Sequence, residues 1–233
     1  MSRKAALLLM AILLLTLISP VYSAGPDWQL RFEQDGIRIF TRLPNGEKHQ
    51  EFLAEVTVQS TIAQAIALLQ DNSACTRWLY RCEESHVIRE VSRQERYFYQ
   101  VSSLPFPAKT RDAIFHARVS YNPDQSVTVE MQSVPDEIPG RQYVRIRHAA
   151  GHYHLQALSA TETTISWQMF IDPAGALPAW IVNAMLTDLP FQSLKAFREL
   201  VQTPPWSSAE FRYDEAGVPN DIVYRDSRAP QDN

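Results

Sequence analysis

Asp172-Pro-Ala-Gly-Ala-Leu-Pro-Ala-Trp-Ile-Val-Asn183 leads into a long apolar helix at the end of a chain that reads largely as strand from Trp28 to Asp172. Pro178 suits a first helical turn, where its missing N–H is not needed. The spacing predicts a helix over about Pro178 to Gln202, with Val182, Met185, Leu186, Leu189, Phe197 and Leu200 on one face. Asn183, Thr187, Lys195, Arg198 and Gln202 fall opposite. Such a helix would be roughly 37 Å long, enough to cross a sheet. Pro190 should kink it or split it in two, and Thr203-Pro-Pro-Trp206 stops it. An apolar helix that follows a long run of strands must cover something, either a packed core or a cavity.

Working back from that helix, Thr163 to Ile171 alternates, with Ile165, Trp167, Met169 and Ile171 on one face. Gln142 to His148 and His152 to Leu158 read as a hairpin about Ala149-Ala150-Gly151. Ser126 to Val134, Lys109 to Tyr121, Glu95 to Ser102 and Ser85 to Val91 are further strands. Near the start, Trp28 to Phe32 and Ile37 to Arg42 are joined at Asp35-Gly36, a hairpin signal, and Glu51 to Val58 alternates. Ser60 or Thr61 caps a short helix, Ile62 to Leu69. The order predicts an α+β domain in which a curved antiparallel sheet carries its helices on one side. The space between sheet and helix is a natural apolar pocket. Residues 204–233 are polar and turn-rich and read as a tail or a surface-hugging arm.

The first residues look like a processing signal. Arg3 and Lys4 precede an apolar run of 14 residues, Ala5 to Ile18. Pro20 breaks the run, and Val21-Tyr22-Ser23 fits a small-residue cleavage rule. The run is short for a membrane span, which needs about 20 residues. Residues 1–23 are therefore expected to be a signal peptide, and the protein to be periplasmic or secreted. Their removal takes away Arg3 and Lys4 and leaves 20 Lys+Arg against 26 Asp+Glu, a net charge of −6. That balance argues against nucleic acid or anionic lipid surfaces as bulk partners. In an oxidising compartment Cys75 and Cys82 are expected to pair, contributing about 2–3 kcal/mol in the chain-entropy model. Two cysteines at this spacing supply only half a zinc shell, and no metal or other cofactor is expected.

Candidate site residues follow from strand parity. Arg111 shares a face with Ala113, Phe115, Ala117 and Val119. A charge on an apolar face is either paired, used for a ligand, or at a strand end that reaches water. Asp112 points to the other face in a regular strand. Phe115, Trp167, Met169, Met185 and Leu189 are candidate walls, with plain core packing as the alternative for each. His148, His152 and His154 lack a nearby acidic third ligand and read as ordinary hairpin histidines. His116 could be drawn as an acid–base pair with Asp112 or Asp172. No GxSxG nucleophile elbow and no glycine-rich phosphate loop occurs.

From Trp28 to Val201 the chain resembles the StAR-related lipid-transfer (START) family and its helix-grip fold, and its leader suggests the secreted bacterial branch. The resemblance rests on Trp28…Asp35-Gly36-Ile37…Thr41-Arg42, on Cys75…Trp78…Cys82, on Pro105…Pro107…Arg111-Asp112, and on Asp172-Pro173…Gly175…Pro178-Ala179-Trp180-Ile181-Val182-Asn183. It implies binding and transfer or sensing of a lipid or sterol-like molecule, without catalysis; the domain is expected over 24–203, monomeric by default and with transient membrane contact. The last helix would act as a lid. Arg111 and Asp112 match the family's Arg-Asp pair, and with Phe115, Trp167, Met169, Met185 and Leu189 they form the expected ligand site. Two other readings stand beside it. One is a polyketide cyclase or aromatase in the same cavity, which needs acid–base groups such as His116 facing inward. The other is an interaction module whose groove is filled.

Overall fold

The computed structural model describes residues 27–140 and 142–225; the expected signal peptide lies outside them. Among the described residues one large sheet dominates. In chain order its strands are β1 (Gln29–Gln34), β2 (Ile37–Arg42), β3 (Glu51–Val58), β4 (Cys82–Ser92), β5 (Glu95–Ser102), β6 (Arg111–Tyr121), β7 (Val127–Ser133), β8 (Val144–Arg145), β9 (Ala149–Ala157) and β10 (Thr163–Ile171). Their spatial order is β1-β2-β3-β10-β9-β7-β6-β5-β4, antiparallel throughout, with β8 added in parallel beside β6. Asp35 and Gly36 both have positive φ (54° and 72°), which a two-residue type I′ turn between β1 and β2 requires.

Helices α1 (Ile62–Gln70) and α2 (Cys75–Trp78) carry the chain from β3 to the far edge strand β4. Thr61 and Gln64 form a reciprocal capping box at the start of α1. Cys75 and Cys82 are joined by a disulfide, with Cα atoms 5.9 Å apart. The bond ties α2 to the first residue of β4.

The long apolar helix is two helices. α3 spans Ala179–Leu186 and α4 spans Asp188–Leu200. The break falls at Thr187 (φ −120°, ψ −55°), three residues ahead of Pro190. Pro190 thus sits in the first turn of α4, where no intrahelical N–H is lost. Its ring is incompatible with a helical carbonyl four residues back, at Leu186, which is where α3 ends. The split rotates the faces: α3 buries Ile181, and α4 buries Pro190, Phe191, Leu194 and Phe197. α4 packs on α2, β2 and β3, joining one end of the sheet to the connection from the other. Phe191 meets Phe32 edge-on at 4.9 Å, and Phe197 meets Trp78 at 5.2 Å. The Tyr80 amide donates to Ser193 Oγ at 2.9 Å.

Two expectations change. Ala149-Ala150-Gly151 is not a hairpin turn; β9 runs straight through it, and the strand before it shrinks to β8, parallel to β6. Gly151 is there for closeness. A Cβ would lie 2.2 Å from the Gln168 carbonyl oxygen and 2.9 Å from Met169 Sδ. The second change concerns 204–233. Trp206 is buried, and 209–224 form a hairpin of β11 (Ala209–Tyr213) and β12 (Pro219–Tyr224). Phe211 and Ile222 pair across it and pack on the main core. Strands of five and six residues are too short to display a periodic apolar face in sequence.

Candidate ligand-binding site

The concave side of the sheet is set by alternation. On β6 it carries Arg111, Ala113, Phe115, Ala117 and Val119; on β5 it carries Arg96, Phe98, Gln100 and Ser102. Alanines at 113 and 117 leave room where larger residues would fill the core. α3 and the first turn of α4 cross above, and two adjoining cavities lie beneath them. The outer one, of about 600 Å³, is bordered by Ala113, Ile146, Trp180, Ile181, Ala184 and Met185 among others. The inner one, of about 110 Å³, is bordered by Trp78, Phe98, Ala117, Tyr153, Trp167 and Met169 among others. Phe115, Ile171, Leu189, Gln100, Ser102 and Tyr80 border both. The two cavities therefore lie side by side, separated only by shared wall residues, and together make up the tunnel beneath the helices.

All seven residues named from the sequence fall on its walls. Arg111, Asp112 and Met185 border the outer cavity, Trp167 and Met169 the inner, and Phe115 and Leu189 both. The bonding of the two charged residues differs from the expectation. Arg111 is buried, not open to water at a strand end. Its guanidinium donates to the backbone carbonyls of Pro173 and Ala174, each at 3.2 Å, and of Lys109. Arg111 thereby pins the lead-in of α3 to the start of β6. Burial pulls its pKa below the usual arginine value. Asp112 borders the cavity, but both its carboxylate oxygens are engaged elsewhere. Arg145 binds them bidentately at 2.9 Å, and Tyr99 donates its hydroxyl to Oδ2 at 3.0 Å. Arg145 also donates to the carbonyls of Pro135 (2.6 Å) and Ile138 (3.2 Å), fixing the 135–140 loop. Asp112 is thus the anchor of a buried structural ion pair, and neither a surface carboxylate nor a free ligand for a head group.

The acid–base pair does not form. His116 points to the convex face, bonds Glu95 at 2.7 Å and stacks on Tyr97 at 4.6 Å. Asp172 lies 3.7 Å from His49. His152 and His154 lie on strand β9 with parity opposite to the buried Tyr153 and Leu155. Among the described residues no group of three or more His, Cys, Asp or Glu could hold a metal ion.

Several wall residues escaped sequence reasoning. Phe98, Arg96 and Gln100 were detectable as one parity of β5, but nothing in the strand itself says which parity faces inward. Tyr153 stacks on Trp167 at 5.0 Å, and burial pushes its phenol well above the usual tyrosine value, so its hydroxyl stays protonated. The indole N–H groups of Trp78 and Trp167 are buried with no protein acceptor.

With this geometry in place, comparison with known proteins is decisive. The family model of the START domain matches residues 13–207. The chain belongs to the START-domain family. A solved STAR-related lipid transfer protein from Xanthomonas axonopodis superposes with a TM-score of 0.71 at 29% identity, covering 76% of this chain and 99% of that one. Human StAR-related lipid transfer protein 5 shares the fold at 15% identity with a TM-score of 0.68, covering 77% and 88% of the two chains. An uncharacterised protein of Pseudomonas aeruginosa is 23% identical over 76% of this chain and 87% of its own length. The curved antiparallel sheet gripping C-terminal helices is the START helix-grip architecture.

Proposed function

We propose that this START domain binds a lipid or sterol-like ligand in the tunnel beneath α3 and carries it without chemical change. The observation behind this reading is the outer cavity of about 600 Å³, roofed by a helix that leaves it unfilled. Phe115, Trp167, Met169, Met185 and Leu189 would contact the ligand, gaining about 25 cal/mol per Å² of apolar surface removed from water. Arg111 and Asp112 would hold the walls in shape. Trp180 and Phe106, both exposed, stand on or beside the rim and suit transient contact with a membrane surface. The outward orientation of His116 favours a carrier over a cyclase, because the tunnel lacks that acid–base group. The disulfide suits an exported protein, with 1–23 as signal peptide and 24–203 as the ligand-binding unit.

Native mass spectrometry of protein from its own host should find a co-purifying lipid mass. Ala113→Trp, which fills the outer cavity, should weaken binding of a fluorescent lipid by about tenfold or more, and should cost less than the about 1–3 kcal/mol of overfilling a packed core. A ligand-free protein that binds neither fluorescent lipids nor sterols would sink the reading.

A further inference from the structure

The tunnel has a second end, away from α3. A polar cleft of about 560 Å³ lies between the C-terminus of α1, the β4–β5 turn and strand β12. It shares Gln70, Asp71, Gln94 and Arg96 with the inner cavity, so apolar tunnel and polar cleft adjoin at those residues. Its floor, Asn220 to Ile222 and Tyr224, belongs to the C-terminal hairpin, beyond residue 207 where the family match ends. The hairpin is fastened there: Gln94 donates to the Asn220 carbonyl at 3.0 Å, and Arg93 pairs with Asp221.

The neck between the two spaces carries one large donor, the Arg96 guanidinium, and the cleft floor adds one unpaired acceptor, Asn220 Oδ1. The Arg96 guanidinium donates to one carbonyl, that of Gln70 at 2.7 Å, and no carboxylate lies within ion-pair distance of it among the described residues. Glu90, its cross-strand partner, acts on it only at longer range, and burial dominates its lowered pKa. Two further carboxylates border the cleft, and both are occupied. Asp71 accepts from Ser73 and from the Trp206 indole at 3.2 Å, and Asp221 accepts from Arg93 and Arg212. The indoles of Trp78 and Trp167, on the inner cavity side, are donors without acceptors. Arg111, by contrast, already spends its donors on three carbonyls.

We propose that this cleft is the polar end of the ligand site, and that Arg96 at its neck binds the oxyanion of an amphiphile, a carboxylate or a phosphate, whose chain runs into the inner cavity. The proposal rests on the lipid-binding reading above and adds the chemistry of the head and the end at which it sits. A guanidinium with free N–H groups in a partly dry neck matches an oxyanion better than a neutral hydroxyl.

Calorimetry with the full mature chain tests this using three probes of equal chain length: palmitate, 1-palmitoyl lysophosphatidate and hexadecanol. The expected result is that one or both anions bind roughly tenfold or more tighter than the alcohol. Arg96→Gln should erase that preference, bringing the anions down to the level of hexadecanol in the same variant, and Arg96→Lys should restore part of it. The stronger anion identifies the head as carboxylate or phosphate. Equal binding of all three probes to the unaltered protein overturns the proposal alone, with no need for a variant that folds. So does an Arg96→Gln protein that keeps the preference. Binding of none overturns the cavity reading beneath it as well.

Discussion

α3 and α4 are consecutive pieces of one apolar run, and they are used in opposite ways. In α3 seven of eight residues are apolar by type, Ala179 to Leu186 with Asn183 excepted, yet only Ile181 is buried. α4 is far more polar, with Asp188, Gln192, Lys195, Arg198 and Glu199, yet it buries Phe191, Leu194 and Phe197 against Phe32, Trp78 and their neighbours. The helix with more apolar residues has less to pack on. The difference lies beneath them: α4 rests on a filled core, α3 on a hollow of about 600 Å³. An apolar helix face that the protein's own core does not cover indicates a ligand face, provided the space under it is concave and apolar.

The sharpest way to break this comparison is a matched truncation. Phe197→Ala removes a ring buried in the core and should cost about 3–5 kcal/mol by denaturant unfolding. Met185→Ala removes a half-buried side chain over the cavity and should cost less than about 1 kcal/mol while altering lipid affinity. Comparable losses for the two variants would mean that α3 is a packed element and the hollow a misreading.

A smaller effect separates the supports of the two helices. The Cys75–Cys82 bond stiffens α2 and the Tyr80 turn, which seat α4 through the Trp78–Phe197 contact and the Ser193 hydrogen bond. Replacing both cysteines with serine should cost about 2–3 kcal/mol. Amide exchange should then quicken in α4 and hardly change in α3, which makes few core contacts and is expected to exchange by local opening. Free-thiol labelling of the denatured exported protein checks the bond itself, since two reactive thiols would refute it.

Much of this arrangement was readable from the sequence, because strand alternation and local signals agree. β3, β6 and β10 alternate clearly, Asp35-Gly36 sets its own turn, and Thr61 with Gln64 caps α1. Phe115, Trp167 and Met169 could be read as inward-facing because their strands show one consistent apolar face. The misreadings arose where local chemistry points one way and tertiary contact another. Gly151 looks like a turn residue but is a glycine because Met169 and the Gln168 carbonyl occupy the place of its Cβ. Arg111 looks like a head-group anchor because it is a cation on an apolar face, yet two of the three carbonyls that bind it are 62 and 63 residues away in sequence. Asp112 finds Arg145 33 residues on, in a two-residue strand whose parallel pairing has no local signature. The break at Thr187 rather than Pro190 was recoverable: a proline acts on the turn before it.

The least disruptive test touches neither helix. His152 lies on β9, and its pKa is lowered chiefly by burial and next by the His154 charge, while Glu130 and Glu51 pull the other way. A base whose folded pKa is depressed binds its proton more readily in the unfolded chain. No effect exists above the ordinary histidine value of 6.5, and stability is lost as pH falls below it. His152→Gln should flatten that part of the stability–pH curve, by less than the Phe197→Ala or disulfide changes because the ring is partly solvated. Protection of α4 amides, which exchange by opening the core, should decline with acid in the unaltered protein and decline less in His152→Gln. Protection of α3 amides should be the same in both proteins, because the sheet need not unfold for the roof to lift. If α3 protection instead follows that of α4 across this pH range, the two helices open as one unit, and the contrast between roof and seal fails.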